Sequence, residues 1–289
     1  MRPCMGVGLA GLLLGLWIAG PAFAACPEGS AHEGETLAAA WQDREPVARV
    51  KPEDMADALC IQRVMVAELD VVVGPHVGWK VGLTSETVQE RFGADAPVAG
   101  ALLAGMIWPS ELPVARDFGA RPMVEADLAV RVADPAIMQA SDHAEVLAAI
   151  DWVLPFIELV DLMVADPATL DAWSITAINV GARGGVLGEP VPVTQEMGET
   201  LAAMTVVIES EGGEVLGEYP GSAILGHPLD AVLWLVDELA ARGETLDAGE
   251  LLSLGSFGPL FAVDEHDAFR VRYEGLVPDQ VPEVEVRFE

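Results

Sequence analysis

From Met123 to Val132 the chain alternates without a break, with Val124, Ala126, Leu128, Val130 and Val132 on one side and Glu125, Asp127, Ala129 and Arg131 on the other. A period of two is the signature of a β-strand, so the fold must contain a sheet with a buried face here. The opposite face projects two carboxylates side by side. On the water-facing side of an antiparallel strand such a pair costs little. If that face is instead enclosed, like charges this close repel unless a cation neutralises them. Glu158 favours enclosure: it stands among Leu154, Phe156, Ile157, Leu159 and Val160, where an unpaired carboxylate would be costly. Three hard oxygen ligands with no neighbouring Cys or His suit Mg²⁺, Mn²⁺ or Ca²⁺ rather than zinc.

The 289 residues, 52% of them hydrophobic, suffice for one large domain with N-terminal additions or for two close lobes. A formal net charge of -31 and a pI near 4.2 argue against nucleic acid as a partner, because binding a polyanion relies on Lys and Arg. A small anionic substrate needs a cation or a local base, and Lys51 and Lys80 are the only lysines. Residues 1–24 read as a signal peptide: Arg2, the apolar stretch Val7 to Ile18, and an Ala22-Phe23-Ala24 cleavage site. The chain is thus expected to be exported, periplasmic or extracellular, with cleavage near Ala24. A retained membrane anchor fits less well, since the apolar stretch is short and Gly20-Pro21 breaks it. Lipid attachment at Cys26 fits less well still, given Phe23 in the box. Residues 25–75 are expected to form an N-terminal extension and packing helix, and 76–289 the metal-binding domain. Loss of the signal removes Cys4 and leaves Cys26 and Cys60. Either these bridge, or Cys60 is a small buried residue and Cys26 sits in a loose tail.

A helix is expected from Pro52 to about Val72, with Glu53 and Asp54 in its first turn and Met55, Leu59, Val64 and Ala67 apolar. Gly78 to Thr84 reads as extended, with Ser85 capping a short helix through Phe92. Asp142 and Glu145 form a capping box for a helix carrying Val146, Leu147, Ile150 and Val153 and ending near Pro155. Thr205–Ile208 and Val215–Tyr219 form a hairpin, Pro228–Ala241 a helix stopped at Gly243, and Val284, Val286 and Phe288 mark a last strand. Strands without regular helix alternation indicate an α+β fold. Gly181 to Gly188 lacks the order of a nucleotide loop. It reads as a glycine-rich turn whose Arg183 either grips a substrate carboxylate or lies on the surface. No G-x-S-x-G or H-E-x-x-H occurs, so hydrolase triads find no support.

Taken in order, Gly78-Trp79-Lys80-Val81-Gly82-Leu83-Thr84-Ser85, Glu125-x-Asp127, Glu158-Leu159-Val160-Asp161, the run His227 to Leu235 and Gly255-Ser256-Phe257-Gly258 resemble the 2-keto-4-pentenoate hydratases of the fumarylacetoacetate hydrolase superfamily. The resemblance spans roughly Trp41 to Val263. It implies a fumarylacetoacetate hydrolase-like mixed β roll with packed helices and a helical N-terminal part, assembled as a homo-oligomer. It implies Mg²⁺, or Mn²⁺ in its place, held by Glu125, Asp127 and Glu158, with Lys80 catalytic or a structural ion-pair partner. Arg183, Asn179 and Ser256 would contact substrate. The implied activity is that of a lyase, hydrating 2-hydroxypenta-2,4-dienoate or a similar small 2-oxo acid through a metal-stabilised enolate. The alternatives are a decarboxylase, tautomerase or acylpyruvate hydrolase on the same scaffold, or an exported non-catalytic small-acid binding protein. Three positions depart from the pattern. Val98 stands where the hydratases usually carry an acid, Ile178 lies in a stretch that ordinarily offers Asp and Ser, and Asp127 replaces Glu.

Overall fold

The computed structural model describes residues 26–110 and 112–289, so the signal-peptide reading of residues 1–24 lies outside the described residues. The strands are β1 (His76–Gly82), β2 (Val98–Leu103), β3 (Ile107–Trp108), β4 (Pro122–Val132), β5 (Ile150–Asp161), β6 (Ala182–Leu187), β7 (Val191–Pro192), β8 (Thr205–Ser210), β9 (Val215–Pro220), β10 (Leu251–Ser253), β11 (Phe261–Ala262), β12 (Ala268–Glu274) and β13 (Glu283–Arg287). The helices are α1 (Glu28–Asp43), α2 (Met55–Val73), α3 (Glu86–Phe92), α4 (His143–Ala149), α5 (Ala172–Ala177), α6 (Met197–Ala203) and α7 (Pro228–Arg242). One sheet runs β2-β1-β10-β4-β5-β6-β3, with β11 added to β4 and β7 to β5; the other runs β13-β12-β8-β9. β1 pairs β10 and β3 pairs β6 in parallel, within an otherwise antiparallel frame. This is the α+β architecture expected.

The larger sheet is rolled. Flat, it would hold β1 and β5 three strand spacings apart, roughly 14 Å, more than a lysine and a glutamate can span together. Lys80 of β1 nevertheless touches Glu158 of β5. Two glycines let the roll close. A Cβ on Gly100 would stand 2.7 Å from the Asn179 carbonyl oxygen, and one on Gly82 2.5 Å from Val180. The apolar face of β4, from Val124 to Val132, packs into the main core with Val232, Leu235 and Val236 of α7 and Val271 of β12.

Several expectations shift. Helix α2 starts at Met55, not Pro52, because the Asp54 side chain accepts the Asp57 N–H and caps it. Its buried face is Ala58, Ile61, Met65 and Leu69, whereas Leu59, Val64 and Ala67 lie off it. The helical N-terminal part contains α1 in addition to the one helix that the sequence pattern delimits. Leu37, Ala38 and Trp41 join Ile61, Met65 and Leu69 of α2 in a second core, and the Cys26–Cys60 disulfide ties the pair together. The helix after Asp142 stops at Ala149, and the β-branched and aromatic run that follows becomes β5, paired with β4 along its length with one register shift between Arg131 and Val132. Of the Gly181–Gly188 run, Ala182–Leu187 forms a strand, β6, rather than a turn. Its glycines make room for rings: a Cβ on Gly184 would lie 2.6 Å from Trp108 and one on Gly185 2.2 Å from Phe156.

α7 begins with a histidine cap that carries a pH prediction. His227 Nδ1 accepts the Leu229 N–H at 3.0 Å, and its Nε2–H donates to the Gly198 carbonyl at 3.1 Å, so the ring is held neutral. It stacks on His143 of α4 at 4.0 Å, and His143 Nε2 lies 2.7 Å from Asp230 of α7. Burial lowers the His227 pKa, and the neighbouring His143 pushes the same way, against the Gly198 carbonyl and Asp230. The unfolded chain therefore takes up this proton first. The stability contributed is full above about pH 6.5 and lost as pH falls below it. Denaturant unfolding from pH 7.5 down to 5 is expected to show that loss, and His227→Asn, which keeps a cap acceptor, should flatten it. Equal pH slopes in parent and variant would refute the assignment.

Candidate active site

β4 and β5 place Glu125 directly opposite Glu158, and Asp127 opposite Phe156. The three acids therefore share one face of the sheet, the concave face onto which β1 brings Lys80. Asp127 is fully buried and Glu158 and Lys80 are each 2% exposed; Glu125 keeps a partly exposed edge. Ser253 Oγ donates to Asp127 Oδ2 at 2.8 Å, and the Gly255 amide donates to Oδ1 at 3.1 Å. Ser256 hydrogen-bonds Glu125. Lys80 Nζ contacts Glu158 Oε1 and donates to the Val180 carbonyl at 2.9 Å. Glu158 Oε1 has no aligned hydrogen-bond partner, so its contact with Lys80 is one of charge.

The electrostatics are those of crowded acids. Burial, and then the nearby Glu158 charge, push Glu125 up to about 7, with Lys80 and Ser256 pulling the other way. Burial and Glu158 likewise raise Asp127 well above its usual range. Like charges facing each other across two strands destabilise a sheet, and one ammonium cannot balance three carboxylates. With all three ionised, two negative charges remain, which is what one divalent cation supplies. Among the described residues no three His, Cys, Asp or Glu side chains form a ready-made coordination cluster. Asp127 is turned to Ser253 and Gly255, and Glu158 to Lys80. The donor set, hard, anionic and without Cys or His, together with a Glu158 oxygen held only by its charge contact with Lys80, fits a hard divalent ion.

The backbone that presents Lys80's second partner is unusual. Asn179 and Val180 both have φ 54° and Gly181 has φ 68°, a conformation costly for a β-branched residue. It aims the Val180 carbonyl at Nζ. Leu83, at φ 58°, follows β1 with the same handedness.

The other expected contacts lie elsewhere. Both ends of the Asn179 amide are engaged by Ala101, at 2.7 and 2.9 Å, which anchors β2. Arg183 is the extra residue of a bulge, since the register of β5 with β6 jumps from Gly184 to Ala182, and a bulge re-aims its side chain. Its guanidinium stacks 3.6 Å from the Trp41 ring centroid and donates to the Trp41 carbonyl. Burial lowers its pKa to about 10. Val98 sits opposite Gly82 and is buried, as is Ile178. Three contributors were not anticipated: Ser253, the Val180 carbonyl and Tyr273. The Tyr273 hydroxyl donates to the Asp127 carbonyl and accepts the Phe156 N–H at 3.2 Å, bolting the second sheet to both site strands. Burial raises its pKa and keeps it a donor. Its one sequence signal is scarcity, as the chain has two tyrosines.

A cavity of about 640 Å³ lies away from these acids, lined by Arg116, Glu211, Arg270, Glu285 and Phe288. Arg116 is paired with Asp267, and Arg270 with Glu285.

No family model matches the sequence. The chain is 30% identical over 259 residues to a 2-keto-4-pentenoate hydratase of Paraburkholderia xenovorans, covering 86% of this chain and 93% of that one. In structure it is similar to the 4-oxalocrotonate decarboxylase of Pseudomonas putida complexed with magnesium and adipate, with a TM-score of 0.79 and 28% identity over 91% of this chain and 98% of that one. A fumarylacetoacetate hydrolase family protein of Yersinia pestis shares the fold, with a TM-score of 0.53 and 17% identity over 74% of this chain and 93% of that one.

Proposed function

The chain belongs to the 2-keto-4-pentenoate hydratase family, and from that premise we propose that Glu125, Asp127 and Glu158 hold its divalent cation and that Lys80 is its working amine. It is a metal-dependent enzyme of the hydro-lyase type acting on a small 2-oxo or 2-hydroxydienoic acid. The observation that carries the assignment is the convergence of three carboxylates and one ammonium on one enclosed face of the rolled sheet. When bound, the cation supplies Lewis-acid stabilisation of charge developing on the 2-oxo group. Ser253 and the Gly255 amide orient Asp127, Ser256 orients Glu125, and the Val180 carbonyl keeps Lys80 Nζ at the site. Lys80 Nζ pairs with the substrate carboxylate or passes a proton to the reacting carbon chain. Lys80 is itself 2% exposed, so its ammonium is screened from bulk water.

Decarboxylation is the second reading. It is favoured by the similarity to the P. putida decarboxylase and by the hydrocarbon at Val98 and Ile178, where a water-handling group would be useful. Whichever reaction it runs, we propose that the enzyme works outside the cytoplasm as a homo-oligomer. Export is supported by the N-terminal sequence pattern and the Cys26–Cys60 bridge, assembly by the exposed Val71, Val72 and Trp173.

The deciding assay offers the purified chain 2-hydroxypenta-2,4-dienoate and a 4-oxalocrotonate-type diacid, with Mg²⁺ or Mn²⁺ and again with excess chelator. Metal-dependent loss of the dienoate by water addition is expected. Release of CO₂ from the diacid alone would transfer the assignment to decarboxylation, and ligand binding without product would end the enzymatic reading.

A further inference from the structure

Lys80 and a divalent ion draw on the same carboxylate. Glu158 Oε1 meets Lys80 Nζ in surroundings that leave both side chains almost without solvent, and there charges interact far more strongly than at a surface. Nor does the lysine rest there by default. Its second partner is the carbonyl of Val180, a β-branched residue held at φ 54° and ψ 31°, so the fold spends backbone strain to keep the ammonium in place. On the reading of Glu158 as a metal ligand, on which this rests, we infer that Lys80 is the electrostatic antagonist of the cation: it weakens divalent binding at Glu158 and yields that carboxylate when the ion arrives. The coupling is reciprocal, as any coupling between two bound charges must be. A metal-loaded site therefore has a loosened Lys80 free to meet an anionic substrate. The lysine is a positioning residue for the ion in addition to any part it takes in turnover.

Calorimetric titration of the chelator-treated protein with Mn²⁺ tests this without turnover. Lys80→Met, close in length and without charge, is expected to bind Mn²⁺ on the order of tenfold or more tightly than the parent. Before Mn²⁺ is added it should melt at a lower temperature than the parent, with the gap narrowing at saturation. Lys80→Gln serves if the methionine variant does not fold. Unchanged or weaker Mn²⁺ binding in a folded variant overturns the inference. Failure of parent and variants alike to bind Mn²⁺ would remove the metal reading itself, and this inference with it. A second measurement needs no variant. Because the chain has only two lysines, selective ¹⁵N labelling reports each ammonium, and Mg²⁺ is expected to move the Lys80 signal and leave Lys51 in place. A stationary Lys80 signal on a protein that binds Mg²⁺ overturns the inference.

Discussion

Glu158→Ala is expected to cut metal-dependent turnover roughly a thousandfold, about 4 kcal/mol of transition-state stabilisation, and to abolish Mn²⁺ binding in titration. Glu158→Gln should do nearly as much, since it keeps the shape and hydrogen-bonding capacity and removes only the charge. The loss should not come from collapse of the fold. The substitution leaves Lys80 buried beside Val180 with one fewer partner, a penalty, but it also removes the acid whose charge pushes up both Glu125 and Asp127. Thermal unfolding, followed beside the assay, separates the two effects. A folded Glu158→Ala enzyme with parental activity would dismiss the site.

The second large effect is on stability. Cys60→Ser removes a bridge that closes a 34-residue separation, and the chain-entropy account puts such a closure at about 3–4 kcal/mol. For a protein of this size that lowers the melting temperature by roughly 10 °C. Cys26→Ser should match it, and the double variant should cost no more than either. The consequence reaches past the N-terminus, because α1 carries Trp41, whose Nε1–H donates to the Ala182 carbonyl at 3.1 Å and whose ring stacks on Arg183. Loosening α1 therefore loosens the start of β6, next to Val180. Variants that melt with the parent would mean that the thiols do not bridge in the protein.

The parts of this molecule readable from the sequence share a cause. The alternation of β4, the Ser85 cap, the 205–220 hairpin and the helix closed by Gly243 are all local patterns, and each stands where the pattern puts it. The three acids were legible as a group because a charge in an apolar run is informative wherever the run goes. What escaped was set by distant partners. The stripe of α2 is phased by α1, which a sequence reading of 52–72 alone does not include. Ile150 and Val153 continue the stripe of the helix before them, and pairing along β4 makes that stretch a strand instead. Arg183 offered an anion grip on paper, but a one-residue bulge turns it onto Trp41. The resemblance puts Asn179 at the substrate, yet its amide is taken up by Ala101 of β2, which no local pattern announces.

The holders of Asp127 lie far along the chain: Ser253 is 126 residues away, Gly255 128 and Tyr273 146. A polypeptide leaving the ribosome thus carries its acids long before it carries what arranges them. Contacts of such range are made late and slowly in folding. A chain truncated before Ser253 would hold Glu125, Asp127 and Glu158 without the side chain and amide that present Asp127.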